Sequence, residues 1–242
     1  MKRFTLHHQP EGTMVLEQNV PLKNHINKPF PAFPKSIAER LCKDLNEIAT
    51  VGKKSLTESF IYCVLSTFLS DGATPYKAPL KLETCLQWDQ AYRLAPGPPH
   101  SIYQYQSILP LVNFLNGEWR NLPLNYCSTF TQMVAEDVPM VSPAIVNKMQ
   151  LIYNDCNEIE QFAVILLFEF YQRISISMPL LWFAKKMNSA DLQSHAIPFQ
   201  NDKIKPRLSP KQKLEMAFMQ MRLSNFRQFL SDKEKEKILM LH

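Results

Sequence analysis

The chain reads as an α+β protein, a small N-terminal antiparallel β element packed on a mostly α-helical remainder. Three observations carry this reading. Strand-like alternation is confined to the first 34 residues, which are rich in proline towards their end. From Lys35 onward apolar residues recur at helical spacing, with cap and stop signals between the runs. The most apolar stretch, Glu158 to Met187, is one that the other segments can be arranged to cover. The predicted division is a β-rich region over 1–34, a helical domain over 35–200 and a basic amphipathic helical tail over 201–242.

In chain order, Phe4-Thr5-Leu6 and Met14-Val15-Leu16 alternate around a turn at Pro10-Glu11-Gly12, which predicts a hairpin. Ser36 is a plausible cap for a helix carrying Ile37, Leu41, Asp44, Leu45 and Ile48, ended by Gly52. Ser55 with Glu58 three residues on predicts a second helix through Phe60, Ile61, Val64, Leu65 and Phe68 to Asp71-Gly72. Leu82 to Leu94 reads as a third helix, with Asp89 and Arg93 four apart on one face and able to pair. Pro96-Gly97-Pro98-Pro99 breaks the chain before a helix from Ile102 to Asn116, closed by Gly117. Residues 118–140 read as a connector.

Ser142-Pro143 starts a helix through Ile145, Met149 and Ile152. Asn157 can cap the next one, with Glu160 returning the bond, and Pro179 suits the first turn of a further helix after a break near Ser175 and Ser177. Phe162, Ile165, Leu166, Phe170 and Ile174 fall at helical spacing with apolar groups on the other sides, so burial nearly all round is expected. Glu169, Gln172 and Arg173 interrupt the run short of the ~20 apolar residues of a bilayer crossing, so no transmembrane segment is expected. After Ser209-Pro210 a stripe of Met216, Met219, Leu223, Phe226 and Leu230 suits a partner groove, a membrane surface or docking onto the parent domain, the last being the simplest.

Composition narrows the function classes. Residues 201–242 hold ten Lys or Arg against five Asp or Glu, which accounts for the whole formal charge of +5 and leaves the rest neutral. A neutral body is a poor nucleic-acid surface, so nucleic acid is not an expected partner. With 5 Gly and no GxGxxG or GxxxxGK[ST], the common nucleotide-binding loops are missing. The 5 cysteines are odd in number and form no CxxC pair, which predicts buried thiols in a reducing compartment rather than a zinc site. The N-terminal segment lacks the apolar run of a secretory signal. No GxSxG, HExxH, calcium-loop or kinase motif occurs, and His7, His8, His100 and His195 show no ligand spacing. The expectation is therefore a protein with no catalytic residues, no metal, no cofactor and no small-molecule substrate.

The segment Leu86 to Asn116 resembles the signature of the assembly chaperones for the α subunit of F-type ATP synthase, the ATP-twelve family of mitochondria and alphaproteobacteria. That signature is an Asp, then Tyr-Arg, a Pro-containing loop, a Gln and an apolar stretch with Pro. These correspond to Asp89, Tyr92, Arg93, Pro98 or Pro99, Gln106 and Pro110. Val20-Pro21-Leu22-Lys23, Lys28-Pro29, Pro34 to Ala38, Ser55-Leu56-Thr57 and Ser177 to Ala184 are similar to further family segments in the same order. Near Ile197 to Gln200 the family's acidic residue and Trp-Gly are missing, and the long basic tail is a departure.

The resemblance implies a chaperone that binds the unassembled α subunit until the β subunit joins, with Asp89, Tyr92, Arg93, Gln106 and Pro110 as partner-binding positions. It implies a cytoplasmic protein in a bacterium or a mitochondrial matrix protein in a eukaryote. The alternative is an adaptor that binds a membrane surface or nucleic acid through the basic tail, an activity that deleting 203–242 would abolish.

Overall fold

In the computed structural model, the described residues are 3–53, 55–70, 82–87, 89–94, 141–171, 175–185, 187–189 and 210–241, with 102, 105, 106, 108, 109, 111–114, 125, 126 and 192. They belong to two compact units: Met1–Ala78 together with Phe218–His242, and Pro79–Ala217.

The first unit begins with a three-stranded antiparallel sheet, β1 (Phe4–Gln9), β2 (Gly12–Glu17) and β3 (Val20–Pro21), in that order. The expected hairpin is there, with Gln9 opposite Gly12 across the Pro10-Glu11 turn. Gln18 and Asn19 turn the chain into β3 with φ of 50° and 69°, the left-handed pair that matches strand twist in a tight hairpin. Gly12 has φ of 152°, and a Cβ there would lie 2.7 Å from the Phe33 carbonyl oxygen, whose residue bonds Thr13 in both directions. Gly12→Ala is therefore expected to cost at least about 2 kcal/mol in a urea titration, because the obstacle is backbone and cannot rotate away.

The sheet packs on α1 (Lys35–Thr50), which buries Ile37, Ala38, Leu41, Cys42, Asp44, Leu45 and Ile48. Gly52 ends it as expected, at φ 80°, with Gly52 N–H bonded to Ala49 and Lys53 N–H to Ile48. Ser36 is not its cap. The chain turns into the helix at Pro34, and the Ser36 hydroxyl donates instead to Glu234 at 2.7 Å. The second predicted helix is also two elements. Ser55 caps only the 3-10 turn Leu56–Glu58, and Ser59 caps α2 (Phe60–Phe68) by accepting from Tyr62 N–H at 3.0 Å. Ser59 is extended and bonded to Asp44, so the helix has to restart there.

The C-terminal segment docks within this unit. From α7 (Pro210–Leu230) and the following 3-10 stretch Lys233–Leu241, the side chains Leu223, Phe226, Phe229, Leu230 and Ile238 are buried. Phe226 meets Phe60 at 5.5 Å between ring centroids and stacks on Phe229 at 6.2 Å. The stripe read from sequence is thus core from Leu223 onward, while Met216 and Met219 are half-buried. Arg40 bonds Asp232 at 2.8 Å. Burial pushes the Asp232 carboxyl up, but the Arg40 and Ser36 hydrogen bonds, the Glu234 N–H and the Arg40 charge outweigh it and hold the group below its ordinary 3.8. A carboxyl depressed in the folded state stabilises above its unfolded value and ceases to do so in acid. The stability difference between wild type and Asp232→Asn is expected at pH 7 and should shrink as pH falls below 3.8, as denaturant titrations at several pH values would show.

The second unit contains α3 (Leu82–Gln87), a two-residue parallel pairing of β4 (Arg93–Leu94) with β5 (Asn125–Tyr126), α4 (Pro143–Asn154), α5 (Glu158–Phe170) and α6 (Ser177–Phe183). Ser142 caps α4 and Asn157 caps α5, whose reciprocal Glu160 bond is also formed. The predicted helix Leu82 to Leu94 is corrected. It stops at Gln87, passes through the 3-10 turn Gln90–Tyr92 and becomes a strand at Arg93. The Asp89 side chain accepts from Ala91 N–H at 2.9 Å, a local bond that competes with helix continuation.

Burial of α5 extends round most of the helix: Ile159, Ala163, Val164, Ile165, Leu167 and Phe168 are buried, Phe162 and Leu166 are half-buried, and only towards its end is Phe170 39% exposed. Ile174 lies outside the described residues. One of the elements that covers it is α6, which lies against α5. Among the described residues no helix is long and apolar enough to cross a membrane.

Candidate partner-binding site

Of the expected partner-binding residues, Asp89 and Tyr92 are buried and Gln106 is exposed. Asp89 is 1% exposed and Tyr92 3%. Asp89 Oδ2 accepts from the backbone N–H groups of Ser177 at 2.9 Å and Ile176 at 3.2 Å. Those are N-terminal donors of α6, whose own N-cap residue, Ile176, provides no side-chain acceptor. A carboxylate 88 residues away in sequence therefore caps the helix and faces the positive end of its dipole. Tyr92 Oη and Ser177 Oγ share a 2.9 Å bond, and Ser175 Oγ accepts from Met178 N–H at 3.3 Å.

Burial raises the Asp89 pKa, opposed by hydrogen bonds from Ser177, Ser175 and Ala91. Burial first, and then the Asp89 charge, holds the Tyr92 phenol well above its ordinary value. Asp89 and Tyr92 thus tie the turn that leads into β4 to the start of α6. The backbone of Arg93 pairs with Asn125. The expected helical pairing of Asp89 with Arg93 has no helix to carry it.

Gln106 is helical and exposed, and Pro110 lies outside the described residues. Around Gln106, Ile102, Tyr105 and Leu109 are 52%, 38% and 39% exposed, while Ile108, Leu111 and Val112 are buried. Ile102, Tyr105 and Leu109 follow at i, i+3 and i+7, so one side of this helical stretch is an uncharged, apolar outer face. Sequence reading placed Gln106 in this stretch but missed the face, because apolar residues on both sides of the helix look alike until burial separates them.

Sequence reading also missed a buried polar cluster in the first unit. Asp44, 1% exposed, accepts from Ser59 Oγ at 2.5 Å and Asn225 Nδ2 at 2.8 Å, and Asn225 also donates to Glu47 at 2.7 Å. Burial raises the Asp44 pKa, against hydrogen bonds from Ser59 and Asn225 and the charge of Arg222. The Arg222 guanidinium lies 3.3 Å from Glu58 and 4.1 Å above the Phe60 ring. Burial pushes the nearby Cys63 thiol up to about 11, so it is protonated and a poor nucleophile at neutral pH.

Among the described residues no three His, Cys, Asp or Glu side chains are grouped to hold a metal ion. His8 and His25 instead bond hydroxyls, of Thr13 and Ser66, both at 2.9 Å. His100 and His195 lie outside the described residues.

A small antiparallel sheet on a helix, joined to a mostly helical second unit, defines an α+β fold whose described polar clusters cap and cross-link helices. Solved structures share it. Atp12 from Paracoccus denitrificans aligns over 98% of this chain and 95% of its own, with 14% identity and a TM-score of 0.55. A mutant of the same protein aligns over 98% and 94%, with 15% identity and a TM-score of 0.56. An Agrobacterium tumefaciens protein for which a chaperone role has been advanced aligns over 95% and 82%, with 16% identity and a TM-score of 0.55. The chain therefore has the fold of Atp12. No protein-family model and no curated protein matches the sequence.

Proposed function

We propose that this chain is a non-enzymatic assembly chaperone, a divergent relative of Atp12, that binds the unassembled α subunit of F-type ATP synthase and keeps it soluble until the β subunit joins. The observation that carries this reading is the fold match over 98% of this chain and 95% of Atp12. The uncharged face of Ile102, Tyr105, Gln106 and Leu109 supports it, because a holdase needs an exposed apolar surface on a stable body. Asp89, Tyr92 and Arg93 serve by holding the second unit in shape, and Gln106 and Pro110 lie in the segment that meets the client. No nucleotide is consumed, since preferential affinity for the unassembled subunit suffices and the β subunit displaces the chaperone by competition. In a bacterium the work is done in the cytoplasm, in a eukaryote in the mitochondrial matrix.

The test is co-purification of the tagged protein from its own cells lacking the β subunit. Recovery of the α subunit, reduced at least tenfold by the double variant Ile102→Asp, Leu109→Asp with its melting curve unchanged, is the expected result. Nucleic acid or lipid as the bound material, released by salt, would replace this reading with the tail-based adaptor.

A further inference from the structure

Among the described residues nothing pairs with the outer edge of β1 beyond Phe4, and the surroundings of that edge describe what fits there. In the sheet, Leu22 N–H donates to Val15 C=O at 2.9 Å, and Thr13 exchanges bonds of 2.8 and 2.9 Å with Phe33. Thr13 and Val15 therefore turn their backbone groups away from β1. In an antiparallel pair the residues opposite such positions also turn theirs outward. Those residues are His8 and Leu6. Their N–H and C=O groups point along the free edge, where no described residue pairs with them.

Two residues earlier the same edge is occupied by an imitation of a peptide group. The Asn46 side-chain amide accepts from Phe4 N–H at 3.1 Å and donates to Phe4 C=O at 2.9 Å. Beside this edge runs a groove of about 660 Å³ between β1 and α1, lined by Leu6, Cys42, Asn46, Ala49 and Thr50 among others. Its charges are balanced within the unit, Arg3 by Glu17, Glu39 by Lys35 and Lys43 by Glu47.

We infer that β1 is a strand-addition site that takes an extended, uncharged segment of a client polypeptide, pairing it with Leu6 and His8 and laying alternate side chains into the groove. Strand addition supplies affinity through main-chain bonds and selects side chains only at every second position, which suits an unassembled or partly folded client. A second copy of the chain fits less well. The edge beyond Asn46 spans only Leu6 to Gln9, about 14 Å, too little for the roughly 1,200 Å² or more that a stable pair of folded proteins buries. The identity of the client rests on the proposed function, while the edge stands on this geometry.

Amide hydrogen exchange on the full chain tests both, with two probes: the isolated α subunit of F-type ATP synthase and reduced, carboxymethylated α-lactalbumin as a generic extended chain. Exchange at Leu6 and His8 is expected to slow at least tenfold with the α subunit. Leu6→Pro removes the outward donor without touching the bonds to β2, and Ala49→Arg fills the groove from a helix surface. Each should weaken binding at least tenfold, and Ala49→Arg answers the question if Leu6→Pro does not fold. Binding of the α subunit without slowed exchange overturns the edge and leaves the client. Slowed exchange with lactalbumin alone keeps the edge and overturns the client. No protection by either overturns both. Protection that rises with the protein's own concentration assigns the edge to a second copy and overturns the inference.

Discussion

Asp89→Ala is expected to destabilise the second unit by about 3 kcal/mol, the cost of leaving buried backbone donors without their acceptor. Three N–H groups, from Ala91, Ile176 and Ser177, lose a carboxylate that is 1% exposed. For a chain of this size that corresponds to roughly 8 °C in melting temperature. Asp89→Asn should be milder, at about 2 kcal/mol, since one amide oxygen can satisfy one side of the site while its NH₂ group meets a donor. Exchange at the Ser177 amide distinguishes this account from a client-contact role. It should speed up at least tenfold in Asp89→Ala without any client present, and unchanged exchange with lost α-subunit binding would make Asp89 a contact residue instead.

Removing residues 218–242 is expected to unfold the first unit. The deletion strips Leu223, Phe226, Phe229, Leu230 and Ile238 from the core, each 7% exposed or less. At about 2 kcal/mol apiece the loss approaches 10 kcal/mol, comparable to the whole stability of a typical domain. It also takes Asn225 and Arg222 from Asp44 and Glu58. Phe226→Ala alone should cost about 3–4 kcal/mol. A cooperative melt and protease resistance in the truncated protein would refute this. Deleting 203–242 is therefore no clean test of a tail-borne activity, because it removes core with charge. Reversing the exposed Lys211 and Lys213 of α7 tests the tail's charge with the core intact.

Much of the fold was legible in local chemistry. The Pro10-Glu11-Gly12 turn, the Gly52 stop, the Ser142-Pro143 start and the Asn157–Glu160 box each act within a few residues, so a linear reading reaches them. Ser36 and Ser55 misled for the opposite reason. Several serines met the capping pattern equally well, and the choice fell to distant partners, Glu234 for Ser36 and Asp44 for Ser59. Asp89 was singled out by its spacing from Arg93 and by family resemblance. Its function as a cap for α6 depends on Ile176 and Ser177, which spacing along the chain cannot connect to it.

By itself the sequence determined the α+β class, the N-terminal hairpin with helices after it, the neutral body with its basic tail, and the lack of the familiar catalytic motifs. Those follow from short-range periodicity, turn residues and charge, which act between near neighbours. Tertiary structure alone decided which apolar rows are core, that the tail completes the first unit, that Asp44 and Asp89 are buried, and that no described residue pairs with the edge of β1 beyond Phe4. Burial and long-range hydrogen bonds depend on which surfaces meet in space, and chains with the same local pattern can bring different surfaces together.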